Sequence, residues 1–202
     1  FIRSAGVFTT YVFFYVITAN VAEASHFRFG HIAWQTVAPN TAQFEIVLAF
    51  RRSYGFSCGA ANRGDVCSLG GSGTLCFGDG ECVTPDYTIL SVDPDSDWLL
   101  GSATVVHTYP SEGPFIAFNE LCCRISSPTH INNPDGSSRV EALLNFKEAT
   151  GNPKSLLPPI VNCSRDTPCV FQVVATSRDN KTTRWRLSSA SEAGGLVNQP
   201  GP

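Results

Sequence analysis

Eight cysteines at irregular spacing in a chain of 202 residues are the feature that most constrains the fold. They are Cys58, Cys67, Cys76, Cys82, Cys122, Cys123, Cys163 and Cys169. An even set of this kind is typical of disulfides formed in an oxidising compartment, and the paired spacing of a zinc site does not occur. We therefore expect an extracellular or cell-surface protein with no metal and no other cofactor.

Only part of the disulfide pairing can be inferred from these positions. Cys163 and Cys169 flank a short polar turn, which favours a disulfide between them. Cys122 and Cys123 are adjacent, so in a strand they point to opposite faces and bond separate partners. The connectivity of the six cysteines other than Cys163 and Cys169 stays open.

Two N-x-S/T sequons accompany the cysteines, at Asn162 and at Asn180. In a protein that passes through a secretory pathway such asparagines accept N-linked glycans. The sequence predicts covalent glycans at both positions and does not decide whether turns rich in Pro, Ser and Thr carry O-linked sugars.

Alternating apolar residues predict short β-strands. Residues 43–50 place Phe44, Ile46, Leu48 and Phe50 on one face of a half-buried strand. Further strands are predicted at 87–92, 103–109, 115–119, 139–146, 169–176 and 183–187, while 53–85 is a Gly-rich loop region that disulfides hold together. Apolar spacing of three and four is never sustained for two turns, so the prediction is an all-β protein built from immunoglobulin-like β-sandwich modules.

A change of composition at 149–153 divides the chain. We expect an extension at 1–24, an immunoglobulin-like domain at 25–149 and a second module at 150–202. The second module is too short for the about seven strands of a complete sandwich. A strand from a neighbouring subunit is therefore expected to complete it.

The source of that strand is the N-terminal segment, where every residue from Val7 to Thr18 is β-branched or aromatic. These residue types favour an extended strand over a membrane or signal helix. The predicted polymerisation strand consists of Val7, Phe8, Tyr11, Val12, Phe13, Phe14, Tyr15, Val16 and Ile17. Strand addition between copies, without closure of a ring, would give a homopolymer.

The leading interpretation is therefore a structural subunit of a glycosylated extracellular fibril that polymerises head-to-tail. The alternative is a secreted or surface-anchored adhesion or carbohydrate-binding module, because residues 1–24 also have the outline of a signal peptide with small residues before Ser25. Contact with a membrane is expected only if this segment is an anchor. A type IV pilin, which also begins with Phe and an apolar run, is disfavoured because Ala5 stands where such proteins carry Glu.

Other function classes find little support. The net charge is −3 and no basic block occurs, so nucleic acid is not an expected partner. No G-x-S-x-G elbow or catalytic cysteine signature occurs, and we predict no enzyme. The histidines are scattered and are expected to be structural; they are His26, His31, His107 and His130.

Two weaker binding hypotheses remain. Asp93, Asp95 and Asp97 alternate and could offer oxygen ligands to calcium, although Pro94 indicates a turn in which Asp accepts backbone hydrogen bonds.

Tryptophan supplies the second binding hypothesis. Trp34, Trp98 and Trp185 could stack on sugars if they are exposed, whereas tryptophan in such strands is usually in the core.

Two stretches resemble known families. FGDG at 77–80, followed by His107-Thr108-Tyr109 and by Gly113-Pro114-Phe115, resembles polycystic-kidney-disease-type immunoglobulin-like repeats. A second resemblance, over about residues 24–202, is to secreted or surface-anchored β-sandwich proteins of bacteria, algae and simple animals that open with ASHFR-G. Its motifs here are 24–30, CCRIS at 122–126, LPPI at 157–160 and WRL at 185–187 followed by EAGG at 192–195.

This second resemblance implies a surface protein with no catalytic residues. In that family a signal peptide usually precedes ASHFR directly, which favours the alternative interpretation of residues 1–24. Family members also tend to carry an acidic turn before the W/Y-R-L strand. Here 177–182 has lost most of those acids and contains the sequon of Asn180, which favours a glycan over calcium.

Overall fold

The structure is a computed structural model, and it describes residues 26–54, 58–121, 124, 137–164, 166–177 and 181–189. Its strands are β1 (Phe27–Ala38), β2 (Thr41–Arg51), β3 (Val66–Ser68), β4 (Leu75–Cys76), β5 (Cys82–Val83), β6 (Asp86–Asp93), β7 (Trp98–Thr108), β8 (Phe115–Leu121), β9 (Ser138–Leu144), β10 (Lys154–Ser155) and β11 (Ala175–Thr176). The helical elements in these ranges are two short 3-10 turns, Arg52–Tyr54 and Gly70–Gly73. Within the same ranges, no helix has the length and apolar character needed to cross a membrane.

Two antiparallel sheets contain most of the strands. The five-stranded sheet has the order β1-β2-β7-β6-β3, and the four-stranded sheet has the order β5-β4-β8-β9. β1 and β2 form a hairpin whose turn contains Asn40 at φ 52, a conformation that Asn tolerates better than most residues. β10 and β11 pair separately with two residues each. The all-β prediction is confirmed, and the arrangement is consistent with a β-sandwich.

The core lies between the two sheets and follows the alternation of β2. Phe44, Ile46, Leu48 and Phe50 are all 0% exposed, and they pack in one cluster with Tyr87 and with inward residues of β8 and β9. Full burial of a side chain of this size contributes about 1.5–3 kcal/mol each relative to exposure. The face predicted from the sequence is therefore the face that holds the sheets together.

Five of the predicted strands are confirmed. The segments 43–50, 87–92, 115–119 and 139–146 correspond to β2, β6, β8 and β9, with ends that differ by no more than two residues. The segment 103–109 corresponds to β7, which begins earlier, at Trp98. β1 was not predicted, although at 12 residues it is the longest strand in the part of the chain that the structure describes.

The strand predictions after residue 150 were wrong. Of 169–176 only Ala175–Thr176 is a strand, and 183–187 forms none. Among the described residues the partner of β11 is the two-residue β10, so no larger sheet there covers the apolar side chains of 169–174. Val170 is 94% exposed and Phe171 is 53% exposed.

Disulfides hold the loop region together. Cys58 is bonded to Cys67 and Cys76 to Cys82, and both bonds lie in the region 53–85, which also contains β3, β4 and β5. Cys163 is bonded to Cys169, the pairing that the sequence favours. Cys122 and Cys123 lie outside the described residues.

Residues 150–155 run beside the outer edge of β1. The backbone N–H of Thr36 donates to the carbonyl of Thr150 at 2.8 Å, and the side-chain Nδ2 of Asn152 donates to the carbonyl of Ile32 at 2.8 Å. Lys154 Nζ lies 2.6 Å from a carboxylate oxygen of Glu45. The segment that follows the predicted boundary is thus tied to the five-stranded sheet, while the division into 1–24, 25–149 and 150–202 stays a prediction.

Candidate recognition surface

The outer face of β8 and β9 carries a mixed set of apolar and charged side chains. Inward residues of these strands, such as Ala117 and Leu144, are buried in the core. Since side chains alternate along a strand, the remaining ones point away from the core. The outward set is Ile116, Phe118, Glu120, Arg139, Glu141 and Leu143.

Arg139 is held in place at the end of this face where β8 ends and β9 begins. Its Nη1 donates to Glu120 at 2.8 Å and its Nε donates to Glu141 at 3.0 Å. Its guanidinium carbon lies 3.9 Å from the centre of the Phe118 ring, a cation–π geometry. Three partners therefore fix the orientation of the guanidinium, and its remaining Nη2 has no acceptor among the described residues.

A groove lies between β9 and a segment near the end of the described chain. Its lining consists of Arg139, Glu141, Leu143, Arg184, Trp185, Arg186 and Ser188. Leu143 is 61% exposed and Trp185 is 51% exposed, so the groove offers apolar surface to solvent. The lining carries three guanidinium groups and one carboxylate, and Glu120 pairs with Arg139 as a second carboxylate, so the groove keeps an excess of positive charge in a chain whose net charge is −3.

A cluster of aromatic rings and the pair His107–Asp79 packs between elements of the two sheets. The rings of Phe77 and His107 stack with centres 3.8 Å apart, and His107 Nε2 donates to Asp79 Oδ2 at 2.6 Å. The hydroxyl of Tyr109 donates to the carbonyl of Phe77 at 3.1 Å, and its ring stacks on Phe115 at 4.4 Å. This cluster joins the turn between β4 and β5 to β7 and β8.

The ionisation of Asp79 follows from these contacts. Burial acts to raise the pKa of Asp79, but the hydrogen bond from His107, the backbone N–H of Glu81 and the charge of His107 outweigh it, so the pKa is lowered. The stacked rings and short hydrogen bonds give the cluster a packing role.

Comparison with known proteins assigns a family to this scaffold. Residues 28–147 match the family described as integrin beta-like protein A-E, N-terminal. This chain belongs to that family. The matched region contains β2 to β9 and all of β1 except Phe27, and therefore the Arg139 side of the groove, whereas 184–188 follow it.

Similar proteins come from Dictyostelium discoideum. The chain is 31% identical to integrin beta-like protein A over 198 residues, which is 89% of this chain and 10% of that protein. It is 30% identical to integrin beta-like protein C over 172 residues, 79% of this chain and 9% of that protein, and 27% identical to protein B over 184 residues. The chain thus spans about a tenth of these relatives, and no solved structure matches it.

The ASHFR-G motifs suggested a family of surface proteins. The family that the comparison assigns is the integrin beta-like one. The residues that resemble polycystic-kidney-disease-type repeats lie together in the Phe77–His107 cluster. Membership of that repeat family, however, stays a resemblance.

The three tryptophans differ clearly in their exposure to solvent. Trp34 is 2% exposed and its Nε1 donates to the carbonyl of Leu143 at 3.0 Å, so it belongs to the core. Trp98 is half-buried at the start of β7. Trp185 alone of the three has more than half of its surface exposed, which leaves it as the one suited to contact a sugar.

The three aspartates considered for calcium do not converge. Asp93 accepts a hydrogen bond from the backbone N–H of Ser96, as expected for a turn. Asp97 accepts hydrogen bonds from Ser53 and Arg51, and Asp95 is exposed. In the part of the chain that the structure describes, no group of three His, Cys, Asp or Glu side chains is placed to hold a metal ion.

The histidines have different surroundings. His26 is 2% exposed and its ring stacks on Tyr54 with centres 3.9 Å apart. His31 lies on β1, where burial lowers its pKa and the nearby charges of Glu45 and Lys154 act in opposite directions. His107 belongs to the internal cluster, and His130 lies outside the described residues.

The predicted glycan and polymerisation sites are only partly described. Asn162 is exposed beside the Cys163–Cys169 disulfide, which leaves it accessible to modification. Asn180 and the proposed polymerisation strand at 7–17 lie outside the described residues. Glycosylation and strand donation stay predictions.

Several groove residues were not singled out by the sequence. The alternation of β9 would have placed Arg139, Glu141 and Leu143 on one outward face, as the structure confirms. No local pattern brings Arg184, Arg186 and Ser188 to that face, because the contact spans more than 40 positions of sequence.

Proposed function

We propose that this chain is an extracellular recognition module of an integrin beta-like surface protein, and that it contacts its ligand through the groove between β9 and 184–188. The observation that carries the proposal is Trp185, half exposed beside the fixed guanidinium of Arg139. Binding sites combine apolar or aromatic surface with a few oriented polar groups, and this groove has both.

The scaffold suits an exposed position outside the cell. Three disulfides among the described residues and the integrin beta-like relatives support an extracellular or cell-surface location. The relatives are named integrin beta-like proteins, and we extend adhesion, the role that this name indicates, to this chain. A binding role needs no catalytic group, which agrees with the prediction that the chain is not an enzyme.

Cell attachment tests this function. The 202-residue chain, secreted from a eukaryotic host, is coated on a surface, and attachment of cells from the organism of origin is counted after washing. We expect attachment above that on serum albumin, and loss of attachment when the coated chain has been reduced and alkylated. Equal attachment to the native chain and to albumin would refute an adhesive role.

Polymerisation by strand donation is a second candidate function. It is supported by the apolar segment after the Cys163–Cys169 disulfide, where Val170 is 94% exposed and Phe171 is 53% exposed with no strand beside them among the described residues. A donated strand would cover such side chains. The same proposal includes an immunoglobulin-like type for the sandwich, a glycosylated fibril as the product and the chain itself as partner.

Removal of residues 1–20 tests this second candidate. We expect fibrils in negative-stain micrographs of the full chain and none from the truncated chain. Fibrils from both, or a secreted protein that starts at Ser25 and still polymerises, would contradict strand donation. Monomers from the full chain at high concentration would also contradict it.

A further inference from the structure

We infer that the groove between β9 and 184–188 binds an acidic saccharide, a sugar chain that carries carboxylates. The inference rests on the proposed recognition role of this groove and specifies its ligand. Neither the family description nor the names of the relatives assign a ligand to this region.

Charge selects an anionic ligand. Arg139, Arg184 and Arg186 line the groove, and Glu141 is the one carboxylate in the lining. Arg184 has no acceptor among the described residues, and the Nη2 of Arg139 has none either. A guanidinium group binds a planar carboxylate through two parallel hydrogen bonds, which Arg184 can supply to a uronate-type carboxylate, while Nη2 of Arg139 adds a single donor.

The other groups of the lining suit a sugar ring. Trp185 offers a flat apolar face at the groove surface, on which the C–H face of a pyranose can lie. Oε2 of Glu141 accepts from Arg139, which leaves Oε1 to accept from a sugar hydroxyl, and Ser188 lies on the same wall. A ligand with a carboxylate, hydroxyls and an apolar face uses every part of this lining.

The position of the groove favours a saccharide over an extended acidic peptide. Extended peptides bind by adding a strand to the edge of a sheet, where backbone groups are available. β9 is the edge strand of its sheet, but β1 packs beside that edge and the carbonyl of Leu143 already accepts a hydrogen bond from Trp34 Nε1. The groove lies instead on the outer face of β9. This face presents side chains to solvent, and side chains are the groups that recognise the hydroxyls and carboxylate of a sugar.

Titration calorimetry with a defined probe tests the inference. The probe is a hexamer of galacturonic acid, and its methyl ester is the matched neutral form with the same ring. The full chain is expected to bind the acid, with affinity that falls as NaCl rises from about 50 mM to about 500 mM because salt screens the ion pairs. The methyl ester is expected to bind at least about tenfold more weakly.

Two exposed substitutions locate the site. Arg184→Ala and Trp185→Ala are each expected to weaken binding of the acid about tenfold, since each removes a principal contact. The matched controls are Arg63→Ala, an exposed arginine in a turn, and Val106→Ala, which removes an apolar side chain that is 60% exposed on β7. Both controls are expected to bind like the parent, and circular dichroism checks that all four variants are folded.

The inference is overturned if the folded chain does not bind the acid, if the methyl ester binds equally, or if Arg184→Ala and Trp185→Ala bind like their controls. Binding of a poly-glutamate peptide with the same dependence on Arg184 and Trp185 would assign the groove to acidic peptides and also overturn it. Cell attachment separates these results from the wider proposal. Cells that attach to a chain that binds no acidic saccharide would leave the adhesive function in place and refute only this ligand.

Discussion

Replacement of Asp79 by Asn removes a buried carboxylate from the internal cluster. The carboxylate accepts hydrogen bonds from His107 at 2.6 Å and from the backbone N–H of Glu81 at 3.1 Å, and its side chain is only 7% exposed. A hydrogen bond to a charged group contributes about 1.5–3 kcal/mol, and Asn can still accept from Glu81. We expect Asp79→Asn to lower the free energy of unfolding by about 2 kcal/mol at pH 7.

The effect depends on pH in a defined direction. Burial alone would raise the pKa of Asp79, but the contacts with His107 and Glu81 lower it below its usual value. A carboxylate with a lowered pKa stabilises the folded state above its unfolded pKa of about 4, and this contribution is lost as the pH falls through the folded pKa. The difference between parent and variant should therefore shrink below about pH 4.

Urea unfolding followed by tryptophan fluorescence measures this effect, with the disulfides intact. The control is Asp95→Asn, because Asp95 is an exposed carboxylate in a turn. Equal unfolding midpoints for Asp79→Asn and Asp95→Asn at pH 7 would refute the stabilising role of the pair. A destabilisation that stays the same at about pH 3 would refute the role of the ionised carboxylate.

Two other predictions concern the FGDG turn and the sequons. Gly78→Ala should lower the free energy of unfolding by about 3 kcal/mol, because φ is +85° and an added Cβ would collide with the carbonyl of Ile116. Gly80→Ala, with φ +105° and open space around it, should cost less in the same urea titration, and equal costs would exclude the collision as the cause. Peptide mass spectrometry of the chain secreted from a eukaryotic host should show glycans on Asn162 and Asn180, and unmodified asparagines at both would refute that prediction.

The strands that sequence alone could predict are those with one apolar face. In β2 the residues from Thr41 to Ile46 alternate strictly between partly exposed and buried, so the period of two is clear there, although Val47 and Ala49 on the opposite face are buried as well. β1 has no such contrast, because Ala33 is 3% exposed although it lies on the face opposite to Ile32 and Trp34. Apolar residues on both faces hide the alternation, which is why this strand was missed.

The region after residue 150 shows the opposite error. Residues such as Val170 and Phe171 favour strands by local preference, and the sequence therefore predicted strands there. A strand also needs a partner, and the described residues offer only the short β10. A segment with strand-favouring residues forms a strand only where a sheet edge is available to pair with it, and a sequence pattern does not reveal that edge.

Only one of the two walls of the groove could be predicted from the sequence. One wall is a period-two face on β9, which the alternation of that strand indicates. The other wall approaches it through long-range contacts, such as that of Lys181 Nζ with the carbonyl of Glu148 at 3.3 Å. Trp185 was among the candidate sugar contacts, but only the structure shows that it is the exposed one.

Attachment of cells to the coated Trp185→Ala chain, compared with Phe171→Ala, tests the proposed recognition surface most directly. Both variants remove an aromatic side chain that is about half exposed, at 51% and 53%, so loss of apolar area alone affects them equally. We predict that Trp185→Ala reduces attachment while Phe171→Ala leaves it at the level of the parent chain. Equal attachment to both variants and to the parent would contradict the assignment of the groove as the recognition surface.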